Sequence, residues 1–417
     1  ITNMKNFLSI KALKLDFYKI TQESNLERQL AKLPKEIKFC KKCVISNQRP
    51  RIIFDSQGVC SACNWFEEKK KIDWNSRKKE FLTLIEKHKK NNGEYDVIVP
   101  GSGGKDSGMI AHTLKYKYGM KPLYVTWSPL LYTAVGMRNL QNLYNSGIDG
   151  KVFTPDREFQ RKISLLGLIY LGNHFEAFGR GQMSYPFHVA NELNIKLVMY
   201  GENAELEYGG SLKNKDKYGQ PIEDFVDLYH KGSSTNELIE NGNKIGLLSQ
   251  NEINHPSLKY FSLPKKDDLV KKKIEFAWFG YFHNWIPQEN FYYAVKNYNF
   301  EVNPNGRSEG TYNKYASLDD FTDPLHYYLS YIKFGIGRAT SDAAHEIRDG
   351  HINKEEGIAL VKKFDSEKPK ISLQGTLDYL NISEKDLDAI TEAFREKRPN
   401  LWKKTNEDWE LKYAIHK

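Results

Sequence analysis

The stretch Tyr95-Asp-Val-Ile-Val-Pro-Gly-Ser-Gly-Gly-Lys-Asp-Ser-Gly108 decides how the chain is read. Val97, Ile98 and Val99 form the short apolar run of a buried parallel strand. The turn Gly101-Ser-Gly-Gly104 follows, and then Lys105, Asp106 and Ser107 lead into Met109-Ile-Ala-His-Thr-Leu114, which reads as a helix. A strand that feeds a glycine-rich turn at a helix N-terminus presents unpaired N–H groups and the positive end of the helix dipole, which suits an anion. Ser102 and Ser107 add hydroxyl donors and Lys105 adds a cation. The order differs from the Walker A loop, where Ser or Thr follows the lysine, and from G-x-G-x-x-G. A purely structural glycine turn is the alternative.

Working outward, Pro122–Trp127, Lys151–Pro155 and Lys196–Tyr200 read as further strands, and Phe276–Phe282 as another buried one. Helical patterns occupy Leu131–Asn145, Phe159–Leu171 and Tyr185–Leu193. Alternating strands and helices predict an α/β fold with a doubly wound parallel sheet. Such sheets bind ligands at the carboxyl ends of their strands, so Trp127, Ser128, Asp156, Glu202 and Asn203 become candidates, with solvated strand ends as the alternative for the two carboxylates. Residues 208–273 are polar and read as an irregular insertion over the site or as a surface loop. From Asp323 onward the pattern is helical, with capping boxes at Asn353/Glu356 and Ser383/Asp386. The expected divisions are an N-terminal extension (1–38), a four-cysteine lobe (39–75), the α/β domain (76–300) and a mainly helical C-terminal region (301–417). In the extension, Leu8, Ile10, Leu13, Leu15 and Phe17 suit a packing or partner-binding arm.

All cysteines fall between Cys40 and Cys63, as C-x2-C, 16 residues, and C-x2-C again. Cys40, Cys43, Cys60 and Cys63 so spaced predict a closed, structural zinc site with four thiolates. Disulfides or free thiols are the alternatives. Between the pairs, Arg51–Phe54 reads as a strand and Asp55–Gly58 as a turn.

The 417 residues carry 62 Lys+Arg and 53 Asp+Glu, a formal charge of +9, with 40% hydrophobic residues. This is globular composition, not disordered or collagenous, and the length suits two or three domains at about 150 residues each. No apolar run reaches the roughly 20 residues of a spanning helix, so membrane insertion is not expected. The opening residues lack the charged, apolar and cleavage regions of a secretory signal, so a cytoplasmic location is expected. With no arginine-rich tract, nucleic acid is a disfavoured partner.

Ser102-Gly-Gly-Lys-Asp-Ser107 resembles the pyrophosphate loop of the PP-loop ATP pyrophosphatases (adenine nucleotide alpha hydrolase-like), whose members cleave ATP between the α- and β-phosphates and adenylate a substrate oxygen. The resemblance implies pyrophosphate binding by Ser102, Gly103, Gly104 and Ser107, charge neutralisation by Lys105, Mg2+ on Asp106, and adenine beside Thr126–Ser128. With no cysteine beyond Cys63, neither the reactive cysteines of tRNA-thiolating members nor a built-in glutaminase is available. A tRNA-modifying enzyme and a non-catalytic zinc-ribbon protein are the other readings.

Further segments resemble the N-acetyl sugar amidotransferase family, which makes acetamidino sugars for bacterial surface glycans, including the pseudaminic and legionaminic acid branch. They are Gln48-Arg-Pro50, Tyr200-Gly-Glu-Asn203, Glu309-Gly-Thr-Tyr312, Tyr315–Asp320, His326-Tyr-Tyr328, Gly337-Arg-Ala-Thr340 and His345-Glu-Ile-Arg348. The resemblance, over about residues 38–365, implies adenylation of an N-acetyl carbonyl oxygen and displacement of AMP by ammonia. It also implies an ammonia supply from a separate glutaminase and a channelling barrel subunit similar to imidazole glycerol phosphate synthase. Arg338 and Arg348 are the candidate clamp for a sugar carboxylate or phosphate, since guanidinium forks match such anions; structural salt bridges are the alternative.

Overall fold

The structure is a computed structural model that describes residues 15–219, 233–406 and 408–417. Most of the Leu8–Phe17 pattern, and 220–232 of the polar segment, lie outside the described residues. Five parallel strands form one sheet in the order β3-β2-β1-β4-β5, with β1 Val97–Pro100, β2 Pro122–Trp127, β3 Asp149–Phe153, β4 Leu197–Tyr200 and β5 Glu275–Trp278. The short, apolar β1, β2 and β4 are buried on both faces, as parallel strands under helices must be.

Alternation along the strands divides the core. Ile98, Leu123, Val125, Trp127, Val198 and Phe276 enter one apolar cluster with helices Arg157–Leu171 and Glu176–Leu193. Val97, Val99, Tyr124, Leu197, Met199 and Ala277 enter a second, with helices Trp74–His88, Lys105–Tyr116, Ala134–Asn145 and Pro287–Tyr298. The carboxyl end of the central β1 runs straight into the glycine-rich turn.

Several expectations need correction. The Phe276–Phe282 run is not one strand: β5 ends at Trp278, and Phe279–Phe282 turns helical. The third strand begins two residues earlier than read and ends before Thr154. Arg51–Phe54 forms no strand; isolated bridges Phe39–Ser46 and Phe54–Cys60 close the knuckles instead. Arg51 has φ 69°, a left-handed conformation that a strand excludes. The 208–273 segment is not irregular throughout. Helix Thr235–Lys244 starts at a Ser234/Glu237 capping box, and Leu238, Ile239, Leu247, Leu248 and Phe261 pack into the first core cluster. The segment thus covers the helix layer, and Tyr208 is its contribution to the central cavity among the described residues.

The first described helix and the cysteine lobe are woven into the body. Helix Phe17–Glu23 buries Phe17 and Thr21, and Thr21 donates to the Ile169 carbonyl. The buried Lys333–Glu27 pair at 2.7 Å ties this arm to helix Asp323–Phe334. The cysteine lobe shares an apolar cluster with Phe334, Ile336, Ala343, Ala344 and Val361. No helix among the described residues is long and apolar enough to cross a membrane.

Helix Glu176–Leu193 carries two glycines in opposite circumstances. A Cβ on Gly181 would meet the Trp127 ring at 2.0 Å, whereas one on Gly179 meets nothing within 4 Å. Gly181→Ala should therefore destabilise by about 1–3 kcal/mol through overpacking, while Gly179→Ala should stabilise by about 0.5–1 kcal/mol through helix propensity. Urea unfolding of the two variants checks this, and equal effects would contradict the packing described.

Candidate functional site

The turn after β1 is held by its neighbours. The Gly101 N–H donates to the Val125 carbonyl at 3.0 Å. The Gly103 N–H donates to the Tyr124 hydroxyl at 2.8 Å, and that hydroxyl shares a second hydrogen bond with Ser107 at 2.7 Å. Gly103 has φ 94°, and a Cβ on Gly101 would lie 2.1 Å from the Tyr124 hydroxyl, so both positions require glycine. Gly104 is the N-cap of helix Lys105–Tyr116 and has no side chain to satisfy the first N–H groups, which leaves them for a ligand.

Lys105 and Asp106 stand at this helix start. Lys105 Nζ lies 2.5 Å from Asp106 Oδ2 and 5.1 Å from the Tyr315 ring centroid. Asn290 donates to Asp106 Oδ1 at 2.9 Å, and the Tyr298 hydroxyl donates to the Lys105 carbonyl at 3.0 Å. Helix Pro287–Tyr298 thus orients both residues. Ser102 turns to Asp319, whose carboxyl is pushed up by burial and partly relieved by that hydrogen bond.

Gly103, Gly104, Lys105 and Asp106 line one side of a cleft that opens to solvent. The other side is C-terminal: Tyr315–Asp319, then Arg338, Asp342, His345, Glu346 and Asp349 from helix Arg338–Asp349. The segment 318–322 is fixed across the mouth of the sheet. Asp320 accepts from the Leu130 N–H at 2.5 Å and from the Thr322 N–H and hydroxyl at 2.9 and 2.8 Å. Burial pushes the Asp320 carboxyl up to about 7.

The structure brings together part of what the sequence suggests. Arg338 lines the cleft, with Nε donating to Asp342 Oδ1 at 2.8 Å. Glu202, at the end of β4, interacts with Asp106 and Lys105; burial first, and then Asp106, raises its pKa to about 7. Asn203 caps helix Ala204–Tyr208 by accepting from the Glu205 N–H. Ser128 sits buried at the end of β2 with its hydroxyl unpaired; its N–H donates to the Phe153 carbonyl at 2.9 Å. Asp156 caps helix Arg157–Leu171.

Two predicted residues lie elsewhere. The Trp127 indole is buried on the far face of the sheet, 5.0 Å from Phe261 and 5.2 Å from Phe153 between ring centroids. Arg348 turns away from the cleft lining: Nη2 donates to the Glu207 carbonyl at 2.6 Å, and its charge faces Cys43, Cys60 and Cys63. At about 100° per residue, Asp342 and Glu346 lie on one side of Arg338 around the helix and Arg348 roughly 80° to the other side, outside the face that lines the cleft. Tyr124, Tyr208, Asp342 and Asn290 were not singled out from the sequence. For Tyr124 a signal existed in strand alternation; for the others only the tertiary fold supplies one.

Cys40, Cys43, Cys60 and Cys63 are all buried and unbridged, with Sγ atoms within 4.8 Å of one another. The Cys40–Cys63 and Cys43–Cys60 sulfur separations are 3.9 and 3.8 Å. A disulfide requires about 2.05 Å. A tetrahedron with zinc–sulfur bonds of about 2.3 Å has edges near 3.8 Å, so the four thiolates fit zinc.

A glycine-rich turn with an uncapped helix start at the centre of a parallel sheet, facing a polar C-terminal wall across a cleft, defines the α/β architecture of the chain. Residues 309–415, about a quarter of the chain, match the family described as "LPS biosynthesis protein WbpG-like, C-terminal domain". This segment supplies the wall from Asn313 to His351. Among solved structures, the chain is similar to the NMN synthetase from Francisella tularensis, at 13% identity and TM-score 0.26, over 55% of this chain and 94% of that one. No curated protein matches.

The Glu202 carboxyl yields a pH prediction. Between its ordinary value near 4.5 and about 7, the unfolded chain has released this proton while the folded chain keeps it. The unfolded state then binds fewer protons, so this group makes stability fall as pH rises through that window. Glu202→Gln removes the penalty. Its stability relative to wild type should be greater at pH 8 than at pH 5 in denaturant melts; the same difference at both would contradict the placement.

Proposed function

We propose that the chain is an ATP-dependent sugar amidotransferase built on a doubly wound sheet of the PP-loop type. Its substrate would be an N-acetylated sugar of a bacterial surface glycan, and its products an acetamidino sugar, AMP and pyrophosphate. One observation carries this reading: the uncapped glycine loop and the segment similar to an LPS-biosynthesis domain face each other across a single cleft. The loop suits phosphates, and the opposite wall suits an acceptor.

An amide carbonyl is a poor electrophile, and adenylation of its oxygen supplies a leaving group. The chain's part is positioning and charge stabilisation. The N–H groups of Gly104 and of the following helix start would receive the departing pyrophosphate, with the Ser102 and Ser107 hydroxyls beside them, while the Gly103 N–H stays on the Tyr124 hydroxyl. Lys105 would neutralise the transferring phosphate oxygens. Asp106, oriented by Asn290, would hold Mg2+, an ion commonly bound through one carboxylate and substrate phosphates; when bound, it screens phosphate charge. The backbone at Thr126–Ser128 would meet adenine. The free Nη groups of Arg338 would take an anionic group of the sugar. Ammonia would come from a separate glutaminase through a barrel subunit.

The test is ammonia-dependent release of AMP and pyrophosphate, with mass spectrometry on a panel of N-acetylated sugars. A product about 1 Da lighter, with NH in place of O, is expected. Lys105→Ala and Asp106→Ala should each lower ATP cleavage at least about 100-fold, the scale of removing a transition-state charge partner, with circular dichroism unchanged. AMP release with no sugar changed would reject the acceptor, and wild-type rates from Asp106→Ala would reject the loop assignment. Arg338→Ala should raise the sugar KM about tenfold or more and leave the ATP KM within twofold; an unchanged sugar KM would remove the anion clamp.

A further inference from the structure

Glu207 is a buried carboxylate that the proposed chemistry does not use. It lies on helix Ala204–Tyr208, directly after the end of β4. From helix Ser61–Lys69, which carries Cys63, Lys69 Nζ reaches both Glu207 oxygens at 3.1 and 2.9 Å, and the Trp65 indole N–H donates to Oε1 at 3.1 Å. From helix Arg338–Asp349, His345 Nε2 stands 3.5 Å from Oε2, and Arg348 donates to the Glu207 carbonyl. His345 in turn places Nδ1 3.1 Å from Asp349 Oδ2. The same short segment is gripped by the other side of the cysteine lobe. Arg49 Nε donates to the Gly209 carbonyl at 3.0 Å, Arg51 pairs with Glu205 at 2.7 Å, and a Cβ on Gly209 would meet Ile52 at 2.7 Å.

The next residue, Tyr208, lines the cleft, with its ring 5.4 Å from that of His345. Three elements therefore meet on one side chain: the helix carrying a thiolate, the strand-end segment and the C-terminal wall. Burial alone would push the Glu207 carboxyl up, but Lys69 and His345 outweigh it and hold it at about 2. The group is a fixed anion across the working pH range.

We infer that Glu207 is a positioning residue that couples the four-thiolate site to the cleft, so that metal binding there sets the placement of Tyr208 and His345. The zinc module would then shape the reaction cavity and not merely staple its own lobe. The inference depends on the zinc reading of the cysteines, and not on the amidotransferase reading.

The test uses the full chain and hydrogen–deuterium exchange of the 204–210 peptide, with zinc content measured on the same samples. Glu207→Gln keeps the shape and removes the charge, and Lys69→Met breaks the pair from the other side. Both should retain zinc at the wild-type ratio while 204–210 exchanges about tenfold faster or more, the response of a locally opened segment. Stripping zinc from wild type with a chelator should loosen the same peptide. With each variant, the sugar turnover number should fall while ATP affinity, read by calorimetry, stays within about twofold. Wild-type protection of 204–210 in both variants would overturn the inference, as would unchanged protection of that peptide after zinc is stripped from wild type, loss of zinc from either variant, or loosening spread over the whole chain. Absence of turnover in wild type would reject the amidotransferase reading alone, because exchange and zinc content do not depend on it.

Discussion

A glycine turn can offer its N–H groups to an anion only if something outside the turn holds it open. Here that is the Tyr124 hydroxyl, which accepts from Gly103 and bonds Ser107. Its reach sets where the turn stands over the end of the sheet, and the glycine at position 101 is the room it occupies. Because the Tyr124 ring lies in the apolar cluster on that face, the hydroxyl's position is set by core packing, not by the loop. The cleft inherits its rigidity from the sheet.

This explains which parts of the site were legible in the sequence. The order strand, glycine turn, helix is local and dictated by residue type, so Gly103, Gly104, Lys105 and Asp106 were found and do line the cleft. Choosing among strand-end residues needed the period-2 rule. Tyr124 and Thr126 share the face of the glycine-turn helix, whereas Leu123, Val125 and Trp127 share the other. Trp127 is near the strand end, but its odd offset from Tyr124 sends it into the opposite core. The same kind of counting, at 100° per residue, separates Arg338 from Arg348.

The helix in the 208–273 insertion is hidden in the sequence for a different reason. The insertion's polar composition is real, but a few apolar residues, Leu238 and Ile239 on helix Thr235–Lys244 and Leu247 just past its end, suffice to dock a segment onto a preformed layer. Composition averages over such residues and loses them. The cysteine lobe was legible as chemistry, because two C-x2-C pairs state their ligand set outright. Its location was not, since the residues that anchor it to Phe334, Ile336 and Ala343 are ordinary apolar side chains about 300 positions away.

The cleft therefore has two halves with different origins. The loop half is one contiguous stretch in sequence, held in place by the Tyr124 hydroxyl and by helix Pro287–Tyr298. The opposite half is assembled from Tyr208, the 315–319 crossing and one face of helix Arg338–Asp349, which meet only after the whole body has folded. Asp342 bonds both Arg338 and Thr311, and Glu346 bonds Tyr312, so the wall is braced by its own polar contacts. A division of this kind lets the C-terminal wall change by substitution on one helix face without altering the sequence of the loop. The buried ion pair at Glu207 works against that freedom, because it fastens the changeable wall to a four-thiolate core that tolerates few alternatives.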